Sequence, residues 1–316
     1  MKFFIKVITS ILNGSFFQKV QRRIKRYKRE RFKRNVQLRI TNDKIRWAQT
    51  WDWSYRTLKK EFQYMLDEVA PAKPESQSKA DKLPKIIWWC WLQGVESAPE
   101  MVQSCLESVK KNLPDYELRI ITSENWMEYV ELPDYILEKY RRGIMPVQKF
   151  TNLIRLNLLL RYGGLWIDAT VLCTGREMCE VLEKSDLFMY AFICGHMDVM
   201  LAENWLIAAK PDNDILRLTW DLHMEYWKKH DDVINYRFFF LFLKMAAECY
   251  PDQWRKVHKF GREAALTMIE ELDEPYSEER YAELKRISSF HKLNWKRKIA
   301  GATGSFYDVL IRQRRF

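Results

Sequence analysis

Residues 149–171 read KFTNLIRLNLLLRYGGLWIDATV, and this stretch decides the fold. Leu153, Ile154, Leu156, Leu158, Leu159 and Leu160 make a helix that is apolar nearly all round, which predicts burial. Gly163 and Gly164 suit its stop, where a left-handed backbone is needed. Leu165, Trp166 and Ile167 then form a short apolar strand, and Asp168 stands at its end. In open α/β folds ligands sit in the crevice beyond the carboxyl ends of strands. Asn152 and Arg155 are three apart and share one face of an otherwise greasy helix. Burying such groups is costly without partners, so they meet either a polar ligand or Asp168 itself. A buried structural ion pair between Arg155 and Asp168 is the bland alternative.

Working outward, Pro84–Gly94 (PKIIWWCWLQG) carries the run Ile86, Ile87, Trp88, Trp89 and Cys90, which is typical of a buried parallel strand. Ala98–Asn112 follows as an amphipathic helix, with Met101, Val102, Cys105, Leu106 and Val109 at helical spacing. Tyr116–Ile121 reads as a second strand. This β-α-β order is what a nucleotide-binding half-domain requires. Trp88 and Trp89 are assigned to core packing.

These segments resemble the capsular polysaccharide synthesis glycosyltransferases. That family is similar to the larger group of sugar transferases with a DXD motif, which includes yeast mannosyltransferases and the glucosylating clostridial toxins. The family pattern is a Ser-Asp-x-x-Arg helix, Gly-Gly, an aromatic or apolar pair, then Asp-x-Asp. This chain has Thr151-Asn152-Leu153-Ile154-Arg155, then Gly163-Gly164-Leu165-Trp166-Ile167-Asp168-Ala169-Thr170. Asn152 stands in place of an acid, and Thr170 in place of the second Asp, which binds metal directly in the wider family. The Asp-Ala-Thr form is familiar within the capsular branch.

The resemblance implies an α/β fold: a GT-A-like, Rossmann-type sheet that binds a nucleotide sugar, flanked by helices, with an N-terminal helical extension. It implies that an aromatic at the first strand's end stacks on the nucleotide base, with Trp91 as candidate and Gln93 beside it. Asp168 and Thr170 would hold the donor, and Asn152 and Arg155 would orient hydroxyls of its sugar or ribose. Glu203-Asn204-Trp205 resembles the segment that approaches the sugar, which makes Asn204 a catalytic candidate beside Asp168. Ser289–Lys296 (SFHKLNWK) resembles a late His-Lys-Leu-x-aromatic-Lys segment. There His291, Lys292 and Lys296 would receive the departing diphosphate, because fixed cations stabilise developing phosphate charge. His291 would also complete a shell with Asp168 for Mn²⁺ or Mg²⁺. Taken without the resemblance, Lys292 and Lys296 read as solvated surface charges.

Length and composition allow this fold. A chain of 316 residues with 47% apolar residues suffices for one large α/β domain with additions, or for two small domains. The 13 Trp residues are weak support for sugar handling, since aromatics also fill cores. The six cysteines include no C-x-x-C pair, which argues against zinc and for a reducing compartment without disulfides. No G-x-G-x-x-G or P-loop pattern occurs, which argues against a dinucleotide-dependent enzyme or a kinase.

The charge is uneven. The chain's formal net charge is +11, and residues 1–35 hold twelve Lys or Arg and one Glu. The remainder carries 41 basic and 41 acidic groups, so the whole surplus lies in the arm. Phe3, Phe4, Val7, Ile8, Ile11 and Leu12 form an apolar stripe ahead of a basic run from Lys19 to Arg34. An apolar helix beside a polybasic segment binds anionic membrane surfaces. The apolar run is too short to span a bilayer, and no clean cleavage site follows it. A nucleic-acid partner is disfavoured, because the body is neutral and shows no recognition motif.

The expected organisation is a membrane-binding arm over 1–34, a helical extension and linker over 35–83, and a transferase domain over 84–316. Within it, Leu187–Cys194 is expected as a strand, and Pro211–His230 and Phe238–Cys249 as helices. The expected reaction moves a hexose from a UDP-sugar to a lipid-linked oligosaccharide, with retention, on the cytoplasmic face of the membrane. A non-catalytic nucleotide-sugar-binding homologue and a membrane-tethered nucleic-acid-binding protein are the alternatives.

Overall fold

The computed structural model describes residues 43–69, 82–191, 201–257 and 260–316, with scattered helical positions between 20 and 31. Most of the basic arm, residues 70–81 of the extension and linker, and the end of the strand expected over Leu187–Cys194 lie outside the described residues. Ten α-helices of the described residues are used below: α1 Asp43–Asp67, α2 Glu100–Asn112, α3 Asp134–Arg141, α4 Val147–Tyr162, α5 Cys179–Lys184, α6 Asp214–Lys229, α7 Phe238–Cys249, α8 Pro251–Lys256, α9 Arg262–Glu271 and α10 Glu278–Ile287. The strands are β1 Ile86–Cys90, β2 Glu117–Ile121, β3 Gly164–Asp168, β4 Val171–Cys173, β5 Leu187–Ala191, β6 Ala202–Ala209 and β7 Phe290–Lys292.

The chain divides into two units. One is Met1–Glu61 with Asp232–Tyr236, and the other is Phe62–Asp231 with Arg237–Phe316. In the first, Trp47 and Trp51 lie one turn apart on α1 with ring centroids 4.9 Å apart. Their spacing places them on one helix face.

The second unit is built on a five-stranded sheet in the order β2-β1-β3-β6-β5. β1 pairs in parallel with both β2 and β3, whereas β6 runs antiparallel to β3 and to β5. The expectation of an α/β sheet flanked by helices is met, with an antiparallel half that the local reading did not anticipate. The chain leaves β1 to form β2 on one side and returns to form β3 on the other. The crevice beyond the carboxyl ends of β1 and β3 is therefore a topological switch point.

Alternation along the strands sorts the core. Ile87, Leu165 and Ile167 join Val109 of α2, Leu182 of α5 and Ala265 of α9 on one face. Trp88 and Trp166 sit opposite each other in register, and Trp88 packs its ring against Tyr129 and Tyr162. Trp88 and Trp89 are wholly buried, as core residues should be. α4 packs against β1, β3 and α6, and α6 against α7. In α7 the run Phe238, Phe239, Leu241, Phe242 and Leu243 is buried, each such side chain contributing roughly 1.5–3 kcal/mol.

The Gly-Gly stop has a steric cause at both residues. Gly163 caps α4 at φ 66°, and a Cβ there would lie 2.8 Å from the Pro211 ring. Gly164 has φ 97°, and a Cβ there would lie 2.5 Å from the Ile86 carbonyl oxygen. Only glycine lets β3 approach β1 this closely.

Candidate functional site

Asp168 ends β3 opposite Cys90 of β1, at the switch point. Trp166 lies two residues earlier on the same face of β3, and its indole Nε1 donates to Asp168 Oδ1 at 2.8 Å. Arg155 of α4 donates to the same oxygen through Nη2 at 2.9 Å. Its guanidinium lies 4.6 Å from the Trp166 ring centroid, so Trp166 supports both partners of the pair. Arg155 Nη1 donates to Asn152 Oδ1 at 3.0 Å, and Asn204 Nδ2 of β6 donates to that oxygen at 3.3 Å. The predicted shared face of Asn152 and Arg155 is present, and it is turned towards Asp168.

The second half of the site comes from far along the chain. After Asp168, Ala169 and Thr170 form a turn into β4, which pairs antiparallel with β7. That ladder sets Lys292 beside the turn. Its Nζ donates to Asp168 Oδ2 at 3.0 Å and to Thr170 Oγ1 at 2.6 Å. Asp168 thus accepts on one oxygen from Arg155 and Trp166 and on the other from Lys292. Burial opposes its negative charge, but Lys292, Arg155 and the Trp166 hydrogen bond hold the carboxyl below its ordinary range. Arg155 is 5% exposed and Asp168 25%, so the carboxylate is the part of the pair that reaches solvent. Burial pushes the neighbouring Cys90 thiol up to about 12, which leaves it an inert packing group.

The other expected site residues are placed unequally. Trp91 packs on the cluster of Trp89, Ala98, Val102, Leu106 and Ala169, next to the turn that carries Thr170. Its ring meets Trp295 edge-on at 6.0 Å. Trp295 is 42% exposed and is a candidate that the motif reading passed over. Gln93 is exposed and Lys296 is exposed, with the Lys296 ammonium 5.3 Å from the Trp295 ring centroid. Neither makes a hydrogen bond to the Asp168 cluster among the described residues.

His291 corrects the expected metal shell. It precedes Lys292 on β7, so alternation turns it to the opposite face. There it is wholly buried and meets Thr174 Oγ1 through Nε2 at 3.1 Å. Burial lowers its pKa to about 4, so at neutral pH it is an uncharged core residue. On that face it joins neither Asp168 in a metal shell nor Lys292 in a diphosphate contact.

The donor set beside Asp168 does not fit a divalent cation held by the protein. Mg²⁺ and Mn²⁺ want several oxygen ligands. Here a single carboxylate has both oxygens engaged by N–H donors, and the adjacent hydroxyl of Thr170 accepts from an ammonium. A divalent ion about 4 Å from the Lys292 ammonium would meet roughly 8 kcal/mol of repulsion at an effective dielectric of about 20.

Residues 17–310 match the family model described as capsular polysaccharide synthesis protein. No curated protein matches the chain. A solved structure titled "PaToxG Glycosyltransferase" is similar at 16% identity and a TM-score of 0.38, over 66% of this chain and 81% of that one.

Proposed function

The chain belongs to the capsular polysaccharide synthesis protein family, and from that membership we propose that it is a GT-A-type glycosyltransferase. Its donor is a UDP-hexose and its acceptor a lipid-linked oligosaccharide of a surface polymer. The observation that carries this reading is the carboxylate at the switch-point end of β3, held by Arg155 on one oxygen and Lys292 on the other. A crevice of this kind is where open α/β sheets hold nucleotides.

In this reading Asp168 and Thr170 orient the donor beside Lys292, and Asn152 and Asn204 present amide groups to sugar hydroxyls. Trp91 and Trp295 offer aromatic faces to the base or a sugar ring. The bond from the anomeric carbon to the β-phosphate oxygen breaks, and its electron pair leaves on that oxygen. The acceptor hydroxyl oxygen bonds to the anomeric carbon on the same face, and its proton passes to the departing phosphate. Oxocarbenium character at the anomeric carbon and charge on the diphosphate develop together, so a cation aimed at the diphosphate lowers the barrier.

The arm over 1–34 belongs to the same proposal as a peripheral anchor on the anionic, cytoplasmic membrane face. Its support is the confinement of the net charge to residues 1–35. Among the described residues no helix is long and apolar enough to cross a membrane. Removing residues 1–34 should abolish sedimentation with anionic liposomes, and retained binding would place the anchor elsewhere.

The deciding experiment is a nucleotide-sugar panel with membrane extract as acceptor source, read as released UDP or GDP. Release from one UDP-hexose, lost in Asp168→Ala, is the expected result. Nucleotide-sugar binding with no release from any donor would make the protein a non-catalytic binding homologue instead.

A further inference from the structure

We propose that the Lys292 ammonium does the work of a divalent cation at this site, so that the protein holds the donor diphosphate without a metal. The inference rests on the donor reading above and concerns how that same site neutralises its substrate. Three observations converge. Lys292 Nζ bridges Asp168 Oδ2 and Thr170 Oγ1, at 3.0 and 2.6 Å, and so links the first and third positions of the Asp-Ala-Thr turn. The remaining carboxylate oxygen accepts from Arg155 and Trp166, so both carboxylate oxygens and the Thr170 hydroxyl already meet N–H donors. The cluster of Asp168, Arg155 and Lys292 carries a net +1, opposite in sign to the acidic clusters that attract divalent ions.

An ammonium has three donors and no acceptor. Two of Lys292's are spoken for by Asp168 and Thr170, and the third is available to a phosphate oxygen. Asp168 and Thr170 then act as positioning residues, fixing the ammonium in the way a metal's protein ligands fix the metal. As the bond to the anomeric carbon breaks, its electron pair settles on the β-phosphate oxygen. Lys292 donates a hydrogen bond to that diphosphate and remains protonated throughout. The cation is covalently part of the chain, so its presence does not depend on metal supply.

The test is UDP binding to the full-length protein, measured by calorimetry in excess EDTA and again with Mn²⁺, with protein-dependent Mn²⁺ uptake read by electron paramagnetic resonance. The expected result is a Kd that agrees within about twofold between the two conditions, with no Mn²⁺ taken up beyond that bound by UDP alone. Lys292→Met should weaken UDP by about tenfold or more, and Lys292→Arg, which keeps the charge, should retain most of the affinity. UDP binding that is lost in EDTA and restored by Mn²⁺ would overturn the inference and leave the donor reading standing. Unaltered affinity in a folded Lys292→Met protein would overturn the role of Lys292. An absence of UDP binding under both conditions would overturn the inference and the UDP-donor reading together. The wild-type arm of the experiment requires no variant to fold.

Discussion

Two buried polar centres of the second unit make an instructive contrast, and α4 contributes to both. At Arg155 the helix faces the crevice, and the side chains of Asp168, Asn152, Trp166, Lys292 and Asn204 are joined in one hydrogen-bonded group. Six residues earlier Lys149 lies 5.3 Å from the Phe238 ring centroid, in the aromatic nest around His223. His223 is 1% exposed and packed against Phe238, Phe239 and Phe242. Neither of its ring nitrogens has a hydrogen-bond partner among the described residues. The two centres obey one rule in different ways. A charge that must stay charged needs partners, so the crevice cluster is a network. A histidine can shed its proton instead, and burial lowers His223 to about 3. The polar groups of the crevice are therefore networked, whereas in the nest His223 is neutral.

The strongest way to break this contrast is to remove the acid from the network. Asp168→Ala leaves the Arg155 guanidinium buried without its counter-charge and should cost about 3–5 kcal/mol in chemical denaturation. It should also reduce donor turnover to background. A variant as stable as wild type would show that the network is dispensable to the fold.

The next test is acid. His223 and His291 are lowered by burial to about 3 and about 4, against 6.5 for an ordinary imidazole. Between about pH 6.5 and 4 the unfolded chain binds protons that the folded chain refuses, so stability falls as pH falls. Each histidine should remove about 2 kcal/mol on going from neutral pH to pH 5. Denaturation curves at the two pH values check this, and a flat response would mean that these rings are not buried neutral.

A smaller effect is expected at the edge of the network. Asn204 reaches Asn152 over 3.3 Å and is only part-buried. Asn204→Ala should leave stability within about 1 kcal/mol while lowering turnover about tenfold, the scale of one hydrogen bond to substrate. Equal turnover would remove Asn204 from the site. The smallest effect belongs to the nest, where His223→Leu deletes no hydrogen bond. It should change stability at neutral pH by less than about 1 kcal/mol, leave turnover unchanged, and remove about half of the acid sensitivity.

Local patterning foretold one centre better than the other, and for physical reasons. The apolar helix, the Gly-Gly stop and the acid-ended strand are short-range features, and α4, Gly163 and β3 lie where periodicity and turn chemistry place them. The shared face of Asn152 and Arg155 follows from helical spacing alone. The bridge from Lys292 to Thr170 does not, because it depends on a three-residue ladder between β4 and β7, segments over a hundred residues apart. Reading Phe290–Lys292 as a strand would have separated His291 from Lys292 at once, since neighbours on a strand face opposite ways. Trp166 was equally within reach: an indole two residues before a strand-end acid lies on the acid's face. Nothing in the run around His223 distinguishes it from an exposed residue of an amphipathic helix until α7 covers it.

The bridge between Asp168 and Lys292 spans 124 residues of chain. On the ribosome, all five strands of the main sheet can emerge and pair while Lys292 is still untranslated. Through that interval the acid has its helix-borne arginine and no second cation. A chain cut short before β7 would lack both the clamp and Phe290 of the core beneath the sheet, so the last strand completes the site and the core together.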